Sequence, residues 1–182
     1  MQGVVTFLDA KHSRLVKNLW AKWRRASGFS GLADLQYPHF SFHVAESYDA
    51  ASISTALRRI ARATPEFRVQ ASGLGFFTGK RKVLYIAIAR SAQLDALRRR
   101  IVRAVRQSAS QSGPFCEDRE WIPHVTLAEG EIENRALASL LSQLSDGDFR
   151  WELRVRNLAL LINERGRQAV KFRFPLAGEP TR

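Results

Sequence analysis

The sequence predicts an α+β fold, a single domain over residues 1–182 made of two similar lobes, and three observations carry that prediction. Runs that alternate apolar and polar residues, as strands do, are interleaved with runs whose apolar residues recur at helical spacing. The order of these runs returns in the second half of the chain. The stretch YPHFSFHV (Tyr37 to Val44) also has a counterpart in WIPHVTLA (Trp121 to Ala128), with proline, histidine, apolar, hydroxyl and apolar residues in the same order.

Taken in sequence, GVVTFLD (Gly3 to Asp9) reads as a strand. A helix is predicted over His12 to Ser27, because Leu15, Val16, Leu19, Trp20 and Trp23 share a face, and Gly28 and Gly31 end it. HFSFHV follows as a strand. Asp49 or Ser52 caps a helix to Ala63 that aligns Ile53, Ala56, Leu57 and Ile60, and Pro65 stops it. EFRVQASGLGFF and KVLYIAIA form two strands joined by a turn around Thr78–Gly79. A helix over Gln93 to Gln107 carries the apolar stripe Leu94, Leu97, Ile101, Val102 and Val105. After the loop SASQSGPFCEDRE the earlier order returns as strand HVTLA, helix ENRALASLLSQLS, strand FRWELRVRNLALLI and strand QAVKFRFPL. In both halves a Phe-Arg pair, at Phe67 and at Phe149, opens the strand after the helix. No long linker separates the halves, so they form two lobes of one unit.

The 182 residues are 45% apolar, enough for a substantial core. No apolar run is long enough to span a bilayer, and MQGVVTFLDAKH lacks the pattern of a signal peptide. The sole cysteine, Cys116, excludes an internal disulfide and fits a reducing compartment. A soluble, cytoplasmic protein is expected, with no membrane partner. The 29 Lys and Arg residues outnumber 17 Asp and Glu, a net charge of +12. Arginine dominates that excess, and its planar donor fork suits phosphate. A polyanion, with nucleic acid foremost, is therefore the expected partner.

Side chains alternate along a strand, so Phe40, Phe42 and Val44 face the core while His39, Ser41 and His43 face the other way. His124 and Thr126 stand opposite Val125 and Leu127 in the same manner. Each proline, at the start of its strand, removes no interior ladder bond. A histidine and a hydroxyl two positions apart are about 6–7 Å apart, close enough to lean over one phosphate. If a pseudo-twofold relates the halves, two imidazoles and two hydroxyls meet in one cleft. One imidazole can then take a proton from an attacking oxygen while the other protonates the leaving oxygen. Both roles are open near neutral pH without a metal, and the hydroxyls can hold the non-bridging oxygens.

PHFSF and PHVTL resemble the paired His-x-Ser/Thr motifs of the 2H phosphoesterase superfamily, which includes 2′-5′ RNA ligase-like proteins and RNA cyclic phosphodiesterases. The motif spacing, from His39 to His124, and the duplicated element order extend the resemblance over most of the chain. It implies two antiparallel sheets lining a central cleft with helices packed outside, and hydrolysis of a cyclic phosphodiester without cofactor or metal. By position it implies catalytic roles for His39, Ser41, His124 and Thr126. His124 would be the general base and His39 the general acid, with the reverse left open because the roles exchange with reaction direction. Serine at position 41 departs from the commoner threonine but keeps the hydroxyl. The expected ligands are RNA ends or cyclic nucleotides, bound by a monomer. A non-catalytic RNA-binding module of the same fold and a 2′-5′ ligation activity stay open as alternatives.

Further residues are candidates for substrate contact. Tyr37, Phe76, Phe77 and Trp121 could stack a base or belong to the core. Lys80 and Arg81, with Arg165 in a matching turn, offer charge at the lobe tips. GLGFFTGKRK is a turn and not a phosphate loop, because Arg81 stands where Ser or Thr is required. His43 either lines the cleft edge or is a packed or solvated histidine. On a strand it lies about 13 Å from His39, too far to share a metal ion. His12, at a helix start, is structural.

Overall fold

The computed structural model describes residues 1–27, 35–112, 121–164 and 166–178. Gly28, Gly31, Cys116 and Arg165, each named above, lie outside the described residues. In chain order the elements are β1 (Gln2–Phe7), α1 (Ala10–Ser27), β2 (His39–Tyr48), α2 (Ala50–Arg62), β3 (Phe67–Phe77) and β4 (Lys82–Ile88). They continue with α3 (Ala92–Val105), β5 (Ala109–Ser112), β6 (His124–Gly130), α4 (Asn134–Leu144), β7 (Glu152–Val155), β8 (Asn157–Glu164) and β9 (Arg167–Pro175).

Local chemistry accounts for most boundaries. Asp9 accepts the His12 backbone N–H at 3.0 Å and caps α1, and its carboxylate also meets the buried His12 ring at 2.7 Å. Asp49 caps α2 through the Ser52 N–H at 2.9 Å, and Ser91 caps α3 through that of Leu94 at 3.2 Å. The β3–β4 turn uses Gly79 at φ 124°, a left-handed geometry that a side chain would strain.

Two antiparallel sheets form among the described residues, one in the order β5-β2-β1-β8-β9 and the other β6-β4-β3-β7. The fold is α+β, as predicted. Each motif strand pairs with a short apolar strand, β2 with β1 and β6 with β4. The strand pair that closes each half lies in the other half's sheet, β3 and β4 with β6, and β8 and β9 with β1 and β2. Thus β3 pairs with β4 beside the second motif strand, and β8 pairs with β1 beside the first. One core joins both sheets to the helices through residues such as Phe40, Leu57, Leu97, Ile86 and Leu127. A second, smaller cluster of Val5, Phe7, Ala159 and Leu161, with Tyr37 against it, covers the opposite face of the first sheet.

Two expectations are corrected. FRWELRVRNLALLI is not one strand: it breaks at Arg156 into β7, which pairs with β3, and β8, which pairs with β1. In β7 only alternate residues are buried, whereas β8 is buried from Asn157 through Ile162 on both faces. The segment read as a loop from Ser108 contains β5, which pairs with the end of β2. No described helix is long and apolar enough to cross a membrane.

Candidate active site

The two motif strands carry the same irregularity at the same place. Val5 pairs with Ser41 and Val4 with His43, so Phe42 is an extra residue in β2. Tyr85 pairs with Thr126 and Leu84 with Ala128, so Leu127 is the extra residue in β6. Each is a β-bulge directly after the hydroxyl. Burial follows: in both strands the histidine and hydroxyl are half-buried, the residue after each is buried, and so is the residue after the bulge.

Each bulge is tied to the other half of the chain by a tryptophan. The Trp121 indole N–H, just before β6, donates to the Ser41 carbonyl of β2 at 3.0 Å. The Trp20 indole on α1 donates to the Leu127 carbonyl of β6, also at 3.0 Å. The Trp121 bond joins the segment entering β6 to β2, and the Trp20 bond joins α1 to β6.

Both imidazoles are oriented alike. His39 Nδ1 lies 2.5 Å from the Tyr37 carbonyl and His124 Nδ1 2.7 Å from that of Ile122, in each case two residues upstream. A carbonyl only accepts, so Nδ1 carries the proton and Nε2 keeps its lone pair in the neutral ring. Among the described residues neither Nε2 has a hydrogen-bond partner. Burial, opposed by the bond to Tyr37 and helped by the charge of His124, lowers the His39 pKa to about 4. Burial also lowers the His124 pKa, again opposed by its carbonyl bond. The bond from Trp121 to the Ser41 carbonyl joins the two strands, and a charge on His124 disfavours a second charge on His39.

The walls differ. Phe7 meets His39 edge-on, with ring centroids 6.4 Å apart, and Tyr37 leans on Phe7 at 5.8 Å. Gln168 of β9 holds that segment by accepting the Gln36 and Tyr37 backbone N–H groups. Beside His124 stand Phe77, edge-on at 5.2 Å, and Tyr85 at 4.9 Å. Gly75 makes room for Tyr85: a Cβ there would fall 2.7 Å from the phenol ring.

Of the predicted residues, His39, Ser41, His124 and Thr126 have the open-face placement expected, with Tyr37 and Phe77 beside the histidines. Two are corrected. His43 does not share the face of His39, because the bulge at Phe42 turns it inward. It is 5% exposed, its Nδ1 sits 2.7 Å from the Tyr48 hydroxyl, and burial, then the Arg98 charge, lowers its pKa. Trp121 is no free stacking platform. Phe42 stacks on it at 6.3 Å, the Arg98 guanidinium lies 4.6 Å from its ring centre, and it is 7% exposed. Phe76 is exposed. Lys80 and Arg81 sit at the exposed hairpin tip, Lys80 3.4 Å from Glu131, several residues along β4 from the Ala87–His124 pair. Arg165 lies outside the described residues.

Sequence reasoning missed Phe7, Tyr85, the Trp20 brace and Arg173, whose guanidinium lies 5.4 Å from the centre of the Phe7 ring. The alternation of KVLYIAIA and QAVKFRFPL carried a signal for Tyr85 and Arg173, but not for which face they share with the motif histidines. Among the described residues no group of three His, Cys, Asp or Glu side chains could hold a metal ion.

A family model described as the 2′-5′ RNA ligase superfamily matches residues 12–167. No curated protein sequence matches the chain. Among solved structures, the chain is similar to TT0787 of Thermus thermophilus, at 20% identity over 98% of each chain and a TM-score of 0.66. It is similar to Escherichia coli LigT complexed with 3′-AMP, at 17% identity over 96% of each chain and a TM-score of 0.61. Kluyveromyces marxianus Usb1 matches at 13% identity over 96% of this chain and 98% of its own, with a TM-score of 0.52.

Proposed function

The chain belongs to the 2′-5′ RNA ligase superfamily, and from that premise we propose that it is a metal-independent phosphodiesterase hydrolysing a 2′,3′-cyclic phosphate at an RNA end or on a nucleotide. One observation carries the reading. Two histidines, each with Nδ1 bound to a carbonyl two residues upstream and each followed by an open hydroxyl, stand on matching bulged strands. The complex of LigT with 3′-AMP supports a ligand of this chemistry, a nucleotide with a phosphate on its ribose.

In the proposed step the cyclic phosphate sits between the two Nε2 atoms, with Ser41 and Thr126 hydrogen-bonding its non-bridging oxygens. A neutral imidazole takes a proton from water as the water oxygen bonds to phosphorus. The protonated imidazole donates its Nε2 proton to the departing ribose oxygen, whose bond to phosphorus breaks. The product is a phosphate monoester with a free neighbouring hydroxyl. His39, which burial takes to a pKa of about 4, is the ring more firmly held neutral, and this favours it as the base. His124 is then the acid, protonated with help from the bound anion. This is the reverse of the order the family resemblance implies.

The test is hydrolysis of a 2′,3′-cyclic-phosphate-ended oligonucleotide and of free cyclic nucleotides, with the phosphate isomer identified. His39→Ala and His124→Ala should each lower kcat by roughly 10²–10⁴-fold with the fold intact, and EDTA should not inhibit. Turnover retained in both variants would sink the mechanism.

A further inference from the structure

We infer that Arg173 forms a subsite for a second phosphate of the substrate, the one on the 5′ oxygen of the nucleoside whose cyclic phosphate lies at the histidines. The inference rests on the hydrolase reading above and names the substrate class within it: nucleotides carrying two phosphates, above all RNA ends.

Strand pairing places Arg173 on the face of the first sheet that carries Ser41. Ser41 pairs with Val5, Val5 with Ala159 and Ala159 with Arg173, so the four stand in one row across the first sheet. Val5 and Ala159 belong to the small cluster on the face opposite the main core. The neighbours Phe172 and Phe174 pack into that main core, which turns the intervening Arg173 the other way. Arg173 is exposed, yet its guanidinium does not project straight away from the edge strand. It folds back over Phe7, 5.4 Å from the ring centre, and Phe7 in turn meets His39 at 6.4 Å. One aromatic ring therefore separates the guanidinium from the candidate catalytic imidazole.

Nothing among the described residues neutralises this cation: Arg173 has no carboxylate within salt-bridge distance and no hydrogen-bond acceptor. A guanidinium poised over an aromatic face keeps its N–H edge free, and that fork matches two oxygens of a phosphate. The pairing row on the other sheet runs Thr126, Tyr85 and Gly75, with no basic residue. The subsite therefore belongs to the His39 side alone and gives the cleft a direction. The nucleoside 5′ side would lie over Phe7 toward β9, and the reacting phosphate between the histidines.

The experiment is equilibrium binding of three stable ligands that share a uridine 3′-phosphate: 3′-UMP, pUp with an added 5′ monoester, and UpUp with an added internal diester. Wild-type protein should bind pUp and UpUp roughly tenfold to hundredfold more tightly than 3′-UMP. In Arg173→Ala that ratio should collapse toward one, and Arg173→Lys should keep part of it. Collapse for UpUp but not pUp assigns the subsite to an RNA chain, and collapse for pUp alone assigns it to a nucleoside bisphosphate. A ratio unchanged in Arg173→Ala overturns the inference. Hydrolysis of cyclic phosphates is measured alongside. Its absence from wild type, with the binding ratio still collapsing in Arg173→Ala, would remove the hydrolase reading and leave the subsite standing. The exposed position of Arg173 makes misfolding an unneeded explanation, and retained 3′-UMP binding by the same variant checks it.

Discussion

The two motif strands are nearly the same object set in different surroundings. β2 and β6 share a leading proline, an imidazole tied to the carbonyl two residues back, a hydroxyl two residues on and a bulge directly after it. What differs is the company. Beside His39 are Phe7 and Tyr37, with the Arg173 guanidinium beyond the Phe7 ring; beside His124 are Phe77 and Tyr85, with room made by Gly75. Identical local geometry thus fixes where each Nε2 lies, while the neighbours decide how readily each ring takes a proton. That difference suits the proposed reaction, which would need one neutral and one charged imidazole at once.

The comparison breaks most visibly at the hydroxyls. If both hold the phosphate, Ser41→Ala and Thr126→Ala should each lower kcat by about 10²–10³-fold, the usual loss for a donor to developing charge. A loss in only one would show that a single lobe grips the phosphate. Ser41→Thr should keep activity, since the adjacent Gly3 presents no side chain on that side.

The pH dependence of stability comes next. Burial favours neutral His39 in the folded chain, whereas in the unfolded chain the ring protonates near 6.5. Between pH 6.5 and about 4 the unfolded state binds more protons. Stability is therefore full above pH 6.5 and falls with decreasing pH, by at most about 1.4 kcal/mol per unit from this group. His43 and His124 act with the same sign. Denaturant melts across that window should be flatter in His39→Ala than in His124→Ala. Equal flattening would mean the two rings are equally held neutral, and the base assignment to His39 would go with it.

The smallest effects belong to the tryptophan braces. Trp121→Phe and Trp20→Phe each leave a bulge carbonyl without its donor, at a cost of about 1–3 kcal/mol. Trp121→Phe should also lower kcat, because it frees the backbone of Ser41 itself. Trp20→Phe acts one residue beyond Thr126 and should change kcat less. Denaturation midpoints and kcat measured together separate the two effects.

His39, Ser41, His124 and Thr126 are legible in the sequence because alternation is a local property and the pattern occurs twice. The bulges are not: Phe42 and Leu127 are ordinary apolar residues in apolar runs, and only the partner strand reveals that one of them is extra. For that reason simple alternation puts His43 on the wrong face. The break at Arg156 is hidden for a related reason, since β7 and β8 choose partners far away in sequence. Trp121 has the composition of a stacking residue, and only the packing of Phe42 and Arg98 on it shows a brace. Arg173 is one basic residue among many until the row through Val5 and Ala159 places it.

The exchange of β3 and β8 between sheets also bears on how the molecule comes into being. Phe7 is held on both its backbone groups by the side chain of Asn157, 150 positions later in the chain. The sheet carrying His39 therefore waits for β8, and pairings this distant close slowly. A growing chain emerging from the ribosome would expose β1 and β2 with their partner still unsynthesised. Neither half could be made as a working fragment, and two halves mixed as separate chains would have to exchange strands before either imidazole had its setting.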